Sequence, residues 1–262
     1  MADAILSTMN NLDYRSVEDA LSGCLWDKHI LTYERIGSTM DRARELAHKG
    51  APEGTLVVAA EQTEGRGRLS RAWVSPAGSL SVSLLLYPSA DKLPYLTMLA
   101  GLAAAEAIEA VALLKADIKW PNDILIDGRK VAGILVESGT ARGKTYAVVG
   151  IGVNVNMDMA GWPDIAGLAT SMSAESGRKI DTPRLLRAIV DEIAVFYTAF
   201  DPAALRNLWR ARLITLGRRV TASGAGAAVE GVAAEVTADG ALVILGDDGA
   251  EYVVVAGDVT LS

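Results

Sequence analysis

The sequence contains little cysteine and histidine, and this scarcity excludes two kinds of site. One cysteine, Cys24, and two histidines, His29 and His48, occur among its 262 residues. A single cysteine cannot form an intramolecular disulfide or a cysteine metal cluster, and a reduced cytoplasm is the expected setting. Both histidines lie far in sequence from the hairpin at residues 119–137 described below, so histidine-based metal binding and Ser-His-Asp catalysis have little support.

Long apolar runs and an excess of positive charge are also missing. The chain has no uninterrupted apolar run of the roughly 18 residues that a membrane span requires, and its N-terminus lacks the pattern of a signal peptide. The net charge is −7, which argues against a nucleic-acid-binding protein. Much of this charge lies from Gly217 onward, where two arginines stand against seven acidic residues. We therefore predict neither a membrane nor DNA as a partner.

The length and the changing composition predict two folded domains after a short N-terminal extension. Residues 1–28 show weak periodicity, with Val17 and Leu21 marking at most a short helix. Residues 29–216 alternate predicted strands and helices, as an α/β domain does. Residues 217–262 hold short strands separated by Gly-rich or Asp-Gly turns, which predicts a small β-barrel.

Capping signals and periodicity place the elements of the larger domain. Residues 38–41, Ser-Thr-Met-Asp, resemble a capping box before a helix that Gly50 ends. Residues 79–86 alternate leucine or valine with serine, which predicts a half-buried strand. Further helix starts are indicated by prolines at positions 94, 183 and 202.

The segment KWPNDILIDGRKVAGILVE, residues 119–137, contains the densest chemistry of the chain. Pro121 disfavours a central strand position, so the chain should leave one strand there. A strand at 124–126, a turn at Asp127-Gly128 and a return strand at 130–137 are predicted. Regular alternation places Val131, Gly133, Leu135 and Glu137 on one face of the return strand.

Two cations and one carboxylate on this hairpin indicate a small-molecule site. Lys119, Asp123 and Lys130 lie close to Gly133, and a glycine weakens a strand unless something approaches its backbone closely. Gly150 and Gly152, which share a face of a later strand, support the same interpretation. The alternative is a proline-broken edge hairpin whose lysines are solvated.

Residues 62–78, QTEGRGRLSRAWVSPAG, form a long loop without helical or strand periodicity. Such loops are uncommon in compact domains and are usually functional. Its glycine-spaced arginines suit the binding of a phosphate, because arginine offers paired donors and glycine allows close backbone approach. A dinucleotide fingerprint is excluded, since Ser70 stands where the third glycine would be and no helix follows. A solvated flexible loop is the alternative.

Ser38 and Thr39 allow two interpretations. They can cap the helix that follows them. They also stand where a strand meets a helix N-terminus, where free N–H groups accept anions or polar ligands.

Taken together, GRGRLSRAWVSPAG, KWPNDILIDGRKVAGILVE, GIGVNVN and the small β domain resemble biotin protein ligases over residues 29–262. The resemblance implies an α/β catalytic domain with a mixed sheet and packed helices at 29–216, and an SH3-like β-barrel at 217–262. It also implies a two-step reaction, in which biotin and ATP form biotinyl-5′-adenylate and the adenylate then biotinylates a lysine of a biotin carboxyl carrier protein. Mg²⁺ is the implied metal, and the expected state is a monomer or a homodimer.

The resemblance further implies roles for individual residues. The implied catalytic group is Lys130, Lys119, Asp123 and Arg66, with Asp123 orienting Lys130 or positioning Mg²⁺. The implied biotin contacts are Ser38, Thr39, Gln62, Arg66, Gly67, Arg68, Lys130, Gly133 and Leu135. The implied contacts of ATP or the adenylate are Arg66, Arg68, Trp73, Asn122, Lys130 and Asn154.

This chain departs from the family pattern at two positions and leaves alternatives open. Met40 replaces the usual asparagine after Ser-Thr, and Ser70 replaces a glycine of the arginine loop. Only about 30 residues precede the first predicted strand, which is too short for the DNA-binding module of some members. A ligase-only form is therefore expected. A lipoate ligase and a non-catalytic biotin-binding regulator are the alternatives, while an octanoyl transferase would need a cysteine elsewhere than Cys24.

Overall fold

The computed structural model describes residues 12–163, 165, 167–223 and 228–261. Residues 1–11 of the predicted 1–28 extension lie outside the described residues. Helix α1, Tyr14–Leu21, is capped by Asp13, whose carboxylate accepts from the Ser16 N–H. Val17 and Leu21 are buried, as predicted, and the helix packs against the long helix α5 described below.

A seven-stranded mixed sheet forms the centre of the larger domain. Strand β1 pairs in parallel with β2, and every other neighbouring pair is antiparallel. The spatial order is β1-β2-β3-β7-β6-β5-β4. The strands are β1 Ile30–Ile36, β2 Thr55–Gln62, β3 Ser79–Leu86, β4 Asp117–Lys119, β5 Asp123–Ile126, β6 Arg129–Ala141 and β7 Lys144–Asn154.

Helices cover the sheet, and their ends follow the capping signals of the sequence. Helix α2, Thr39–Lys49, begins at its N-cap Ser38 and ends at Gly50, which has a left-handed φ of 84°. Asp181 and Asp201 cap α5 and α6, each with proline in the first turn. The remaining helices are α3 Leu96–Ala112, α4 Met172–Ser176, α5 Thr182–Thr198 and α6 Pro202–Ala211.

Helix α3 is apolar on most sides because it lies inside the domain. With the preceding helical turn, Leu93–Ala112 is long and apolar enough to cross a membrane, yet 72% of this stretch is buried. Its neighbours are α5, α6 and strands β6 and β7. These contacts are those of a core helix.

Strand β3 is more buried than its alternation predicted. All eight residues are buried, so the prediction of a half-buried strand is wrong. Leu80, Val82, Leu84 and Leu86 lie in the main core, whereas Ser81 and Ser83 hydrogen-bond to Gln62 and Thr39. Serine alternation here marks a second buried face rather than a solvated one.

The C-terminal region is a five-stranded antiparallel sheet in the order β11-β10-β9-β8-β12. Within the described residues the end strands β11 and β12 are not paired with each other, so the sheet does not close there, and the antiparallel β domain is consistent with the predicted SH3-like fold. The strands are β8 Arg219–Ser223, β9 Val229–Val236, β10 Leu242–Gly246, β11 Glu251–Val254 and β12 Asp258–Leu261.

The two sheets share one hydrophobic core. Val220, Ala233 and Leu242 of the C-terminal sheet belong to the same buried cluster as helix α3. The Trp120 indole Nε1 donates to the Gly240 carbonyl at 2.9 Å, and Arg210 pairs with Glu235 at 2.6 Å. Gly217, the predicted boundary, has a φ of 76° and stands just before β8.

Candidate ligand-binding site

A cavity of about 140 Å³ opens on the face of the central sheet that carries helix α2. Strands β2, β3, β6 and β7, the N-terminus of α2 and the loop 62–78 all contribute to it. Of the sequence-predicted site residues, the structure brings together Ser38, Thr39, Gln62, Arg66, Gly67, Arg68, Trp73, Asn122, Asp123, Lys130, Gly133 and Leu135. Lys119 and Asn154 do not line it.

One end of the cavity is a network of neutral hydrogen bonds. Thr39 donates to the Gln62 Oε1 from its backbone N–H at 2.8 Å and from its hydroxyl at 3.0 Å. The Gln62 Nε2 donates to the Ser81 Oγ at 3.0 Å, and the Ser83 hydroxyl donates to the Thr39 Oγ1 at 2.9 Å. Ser81 also contacts Ser75 at 2.8 Å. This end offers several hydroxyl and amide groups to a polar, uncharged ligand.

Ser38 caps helix α2 rather than joining this network. Its Oγ accepts from the Asp41 N–H at 3.3 Å, which confirms the capping interpretation. Ser38 also lines the cavity, so the ligand-contact interpretation stays open beside it.

Glycines on β6 and β7 form the floor of the cavity. Gly133 pairs with Gly152 across the two strands, and Leu135 pairs with Gly150. The Trp73 ring lies on the first pair, since a Cβ added to Gly152 would be 2.5 Å from its Nε1. That Nε1 is buried and has no hydrogen-bond acceptor among the described residues. The close approach inferred from the glycines is therefore made by a side chain of this chain.

The opposite end of the cavity is charged. The Lys130 Nζ lies 2.6 Å from the Asp123 Oδ1 and 5.2 Å from the centre of the Trp73 ring. This placement supports the predicted role of Asp123 in orienting Lys130. A cation held at one end and neutral polar groups at the other fit a ligand with a carboxylate tail and a polar head.

A register shift brings Lys130 to this face. Leu125 pairs with Lys130 and Ile124 with Ala132, so Val131 is an extra residue, a β-bulge. A Cβ on Gly133 would lie 3.3 Å from the Lys130 Nζ, which places both on the cavity side. The predicted alternation that put Val131 on this face is wrong, because Val131 is fully buried in the main core.

Lys119 and Asn154 occupy positions outside the cavity lining. Lys119 lies on β4 opposite Asp123. Asn154 is buried, and its Nδ2 donates to the Thr170 carbonyl at 3.0 Å. Asn122, by contrast, lines the cavity, and its Oδ1 accepts from the Arg68 Nη1 at 3.2 Å. The roles predicted for these residues stay predictions.

The loop arginines have carboxylate or amide partners that sequence reasoning missed. Arg66 lies 2.6 Å from the Asp41 Oδ1 and 3.0 Å from the Glu137 Oε1. Arg71 pairs with Asp258 on β12 of the C-terminal sheet. Each of these partners is distant in sequence from the loop, so no local signal reveals it.

Arg68 is the most enclosed of the three arginines. Burial lowers the pKa of its guanidinium, and the carboxylates of Asp258 and Asp123 oppose this shift. A buried guanidinium beside Asn122 would be favoured by a nearby anion, because an opposite charge offsets the cost of desolvation. Arg68 is therefore the loop arginine best placed to contact an anionic ligand inside the cavity.

The predicted Mg²⁺ contact can be only one part of a metal site. Among the described residues, no group of three or more His, Cys, Asp or Glu side chains could hold a metal ion. Mg²⁺ commonly uses one or two carboxylates together with substrate phosphates and water. Asp123 fits that mode as a single protein ligand, since its Oδ1 contacts Lys130 and a carboxylate has a second oxygen.

Comparison with known proteins gives concordant results. The Biotin/lipoate A/B protein ligase family matches residues 32–156, and the Biotin protein ligase C terminal domain matches residues 215–262. The Bifunctional ligase/repressor BirA of Bacillus spizizenii is 38% identical over 230 residues, which are 85% of this chain and 71% of that protein. The Biotin--[acetyl-CoA-carboxylase] ligase of Paracoccus denitrificans is 35% identical over 84% of this chain and 95% of that protein.

The solved structures agree in fold. The biotin protein ligase of Aquifex aeolicus in complex with biotin and ATP matches with a TM-score of 0.76 and 28% identity, over 90% of this chain and 99% of that one. A mixed sheet with packed helices, followed by a small antiparallel β domain, thus defines the class. This chain belongs to the biotin protein ligase family, which confirms the resemblance seen in the sequence.

Proposed function

We propose that this chain is an ATP-dependent biotin protein ligase, which activates biotin as biotinyl-5′-AMP and transfers it to a specific lysine of a biotin carboxyl carrier protein. The observation that carries the proposal is the polarity of the cavity. The Thr39, Gln62 and Ser81 network suits the ureido group of biotin, and Lys130 at the other end suits its carboxylate. The glycines between them make room for the Trp73 ring and the Met40 side chain, which both line the cavity.

In the first step two anions must meet. A biotin carboxylate oxygen bonds to the α-phosphorus of ATP while the bond to pyrophosphate breaks. Lys130 offsets the repulsion between these groups and stabilises the charge that develops during transfer. Asp123 holds the Lys130 ammonium in place at 2.6 Å. Mg²⁺ would neutralise phosphate charge, with Asp123 as the protein carboxylate within reach.

The second step joins the acyl group to the carrier. The carrier lysine amine attacks the acyl carbon, the bond to AMP breaks, and the amine loses a proton. No covalent enzyme nucleophile is needed. The single cysteine, Cys24, is buried at the end of α1, and burial is the main cause that raises the pKa of its thiol. It therefore suits packing rather than catalysis.

A lipoate ligase is the second candidate, since the matched family includes lipoate ligases by its description. The dithiolane ring of lipoate has no hydrogen-bonding groups. It would make no hydrogen bonds with the Thr39 and Gln62 side chains, so the polar end of the cavity would contribute less to the binding of lipoate than to the binding of biotin. A non-catalytic biotin-binding regulator would not need the Lys130–Asp123 pair beside the site.

ATP–pyrophosphate exchange tests these alternatives directly. The exchange should depend on biotin, and lipoate or octanoate should not replace it. Exchange with lipoate and not with biotin would overturn the proposal in favour of a lipoate ligase. Biotin binding without any exchange would identify a non-catalytic regulator.

The acidic net charge supports the expectation that the protein does not bind DNA specifically. A sequence-selective, salt-sensitive gel shift would contradict that expectation. Cytoplasmic location, and a monomer or homodimer as the functional state, remain predictions from the sequence.

A further inference from the structure

We infer that Met40, paired in space with Gly150, sets the depth of the neutral polar end of the cavity and so selects the ring system that the enzyme accepts. The inference rests on the proposed function. It assigns a specificity role to a residue that departs from the family pattern.

Met40 reaches the cavity from the first turn of α2. It is 5% exposed and packs in a small core cluster with Val57, Leu85 and Val148. It also lines the cavity next to Thr39, the centre of the hydrogen-bond network. Its side chain is thus fixed by packing on one side and borders the ligand space on the other.

Gly150 makes room for this side chain. A Cβ added to Gly150 would lie 2.7 Å from the Met40 Sδ and 2.9 Å from its Cγ. Both distances are well below ordinary van der Waals contact, so an alanine at 150 and the observed methionine conformation exclude each other. The two residues therefore act as a matched pair that determines how far the cavity extends toward β7.

The thioether of Met40 lets this side of the cavity select ligands by their shape. A thioether is apolar and adapts to irregular gaps. Met40 therefore offers a ligand apolar surface and no hydrogen-bond donor. A ligand head therefore makes its polar contacts on the Thr39 and Gln62 side and must fit the methionine by shape on the other.

Truncation of Met40 should widen the neutral polar end without removing a polar contact. Met40→Ala should weaken biotin binding and should improve binding of biotin sulfone relative to biotin, because the sulfone adds two oxygens to the ring. One methylene in an apolar pocket changes selectivity by roughly 10- to 200-fold. We expect the ratio of the two dissociation constants to change by at least about 10-fold. Met172→Ala is the matched control, because Met172 is also buried but does not line the cavity.

A double-mutant cycle tests the pairing itself. Gly150→Ala should weaken biotin binding by at least about 10-fold, and adding Met40→Ala should restore a large part of that loss. Isothermal titration with biotin provides the dissociation constants, and thermal unfolding without ligand verifies that each variant is folded. If circular dichroism shows that Gly150→Ala is not folded, the pairing is tested by whether adding Met40→Ala restores folding and biotin binding, and no recovery would contradict it.

The outcomes separate this inference from the proposed function. If the unaltered chain binds biotin but the two substitutions are additive and the sulfone ratio is unchanged, the inference is wrong and the proposed function stands. If the unaltered chain does not bind biotin at all, the proposed function fails first. Coupled substitutions together with a shifted sulfone ratio support the inference.

Discussion

The two faces of the central sheet are formed by the same strands, but they bury different kinds of residue. On the face toward α3, strands β3 and β7 place leucine, valine and isoleucine in the main core. On the face toward α2, the same strands place Ser81, Ser83, Gly150 and Gly152 beneath Thr39, Met40 and Trp73. Both faces are shielded from solvent. Burial of the first face stabilises the fold, and burial of the second face encloses the ligand space.

This contrast explains why burial alone does not reveal the site. Ser79, Ser81 and Ser83 are as buried as Leu80 and Val82, which lie between them. A serine removed from water must find a hydrogen-bond partner, and Ser81 and Ser83 find Gln62 and Thr39. Small polar residues at alternate positions of a fully buried strand therefore indicate a binding face.

The largest effect is expected when a core side chain is removed from the face toward α3. Leu80→Ala removes a side chain that is fully buried in the main core. We expect the free energy of unfolding to fall by about 2–5 kcal/mol, while biotin affinity measured well below the unfolding temperature changes little. Chemical denaturation and calorimetry measure the two quantities. Leu113→Ala, at a position 82% exposed, is the control, and an equal loss in both variants would contradict the assignment of Leu80 to the core.

The next largest effect is expected when the positive charge is removed from the charged end of the cavity. Lys130→Ala should slow adenylate formation by at least about 100-fold, the scale for removing one preorganised electrostatic group. Biotin binding should fall less, because the charge matters most in the transition state. Single-turnover adenylation and biotin titration separate these effects.

Lys119→Ala is the matched control for Lys130. Lys119 lies outside the cavity lining, so its removal should slow adenylation less than removal of Lys130. Equal losses would show that Lys119 reaches the reacting groups, as the sequence resemblance implied. Near-normal adenylation by Lys130→Ala would refute the role given to that lysine.

A smaller effect is expected at Ser81, which is next to Leu80 but lies on the face toward α2. Ser81→Ala removes the hydroxyl that accepts from Gln62. One net hydrogen bond contributes about 0.5–1.5 kcal/mol, so biotin affinity should fall by roughly 2- to 13-fold while core packing is kept. A loss of stability with unchanged biotin affinity would show that Ser81 stabilises the fold and does not contribute to the ligand site.

The smallest effect lies away from both faces, between α6 and β9. The hydrogen bonds from Arg210, with a further one from the Val236 N–H, lower the pKa of Glu235 from 4.5 to about 2. Because the folded-state pKa is the lower one, the stabilisation is present above about pH 4.5 and is lost as pH falls toward 2. The pair is partly exposed, so its contribution is at most about 1 kcal/mol.

A comparison of acid unfolding measures this contribution. Glu235→Gln should be less stable than the unaltered chain at pH 6, and the difference should shrink at pH 3. Glu251→Gln, at an exposed position of β11, serves as the control. A difference that is independent of pH would show that the charge of Glu235 is not its cause.

Local signals in the sequence predicted much of the fold. Ser38, Gly50 and the Asp-Thr-Pro and Asp-Pro starts act through neighbouring backbone groups, so the sequence alone places the ends of α2, α5 and α6. The turn at Asp127-Gly128 joins β5 to β6, as the hairpin pattern predicted. The motifs also identified most residues that line the cavity.

Long-range features escaped prediction because nothing local encodes them. Arg71 meets Asp258 across the boundary between the two sheets, and Arg66 meets Glu137 of β6. Both loop arginines therefore have carboxylate partners within the chain itself. Met40 is visible in the sequence only as a departure from a pattern, and its contact with Gly150 appears only in the folded chain.

The bulge at Val131 places Lys130 and Gly133 on the same face of β6, although regular alternation would put them on opposite faces. Phase along a strand can be reset by a single residue. With Val131 present, a regular pleat would place Val131 on the cavity face and turn the Lys130 side chain toward the core face, where an ammonium is costly to bury. The bulge instead sends Val131 into the core and keeps the charge of Lys130 on the side where the ligand lies.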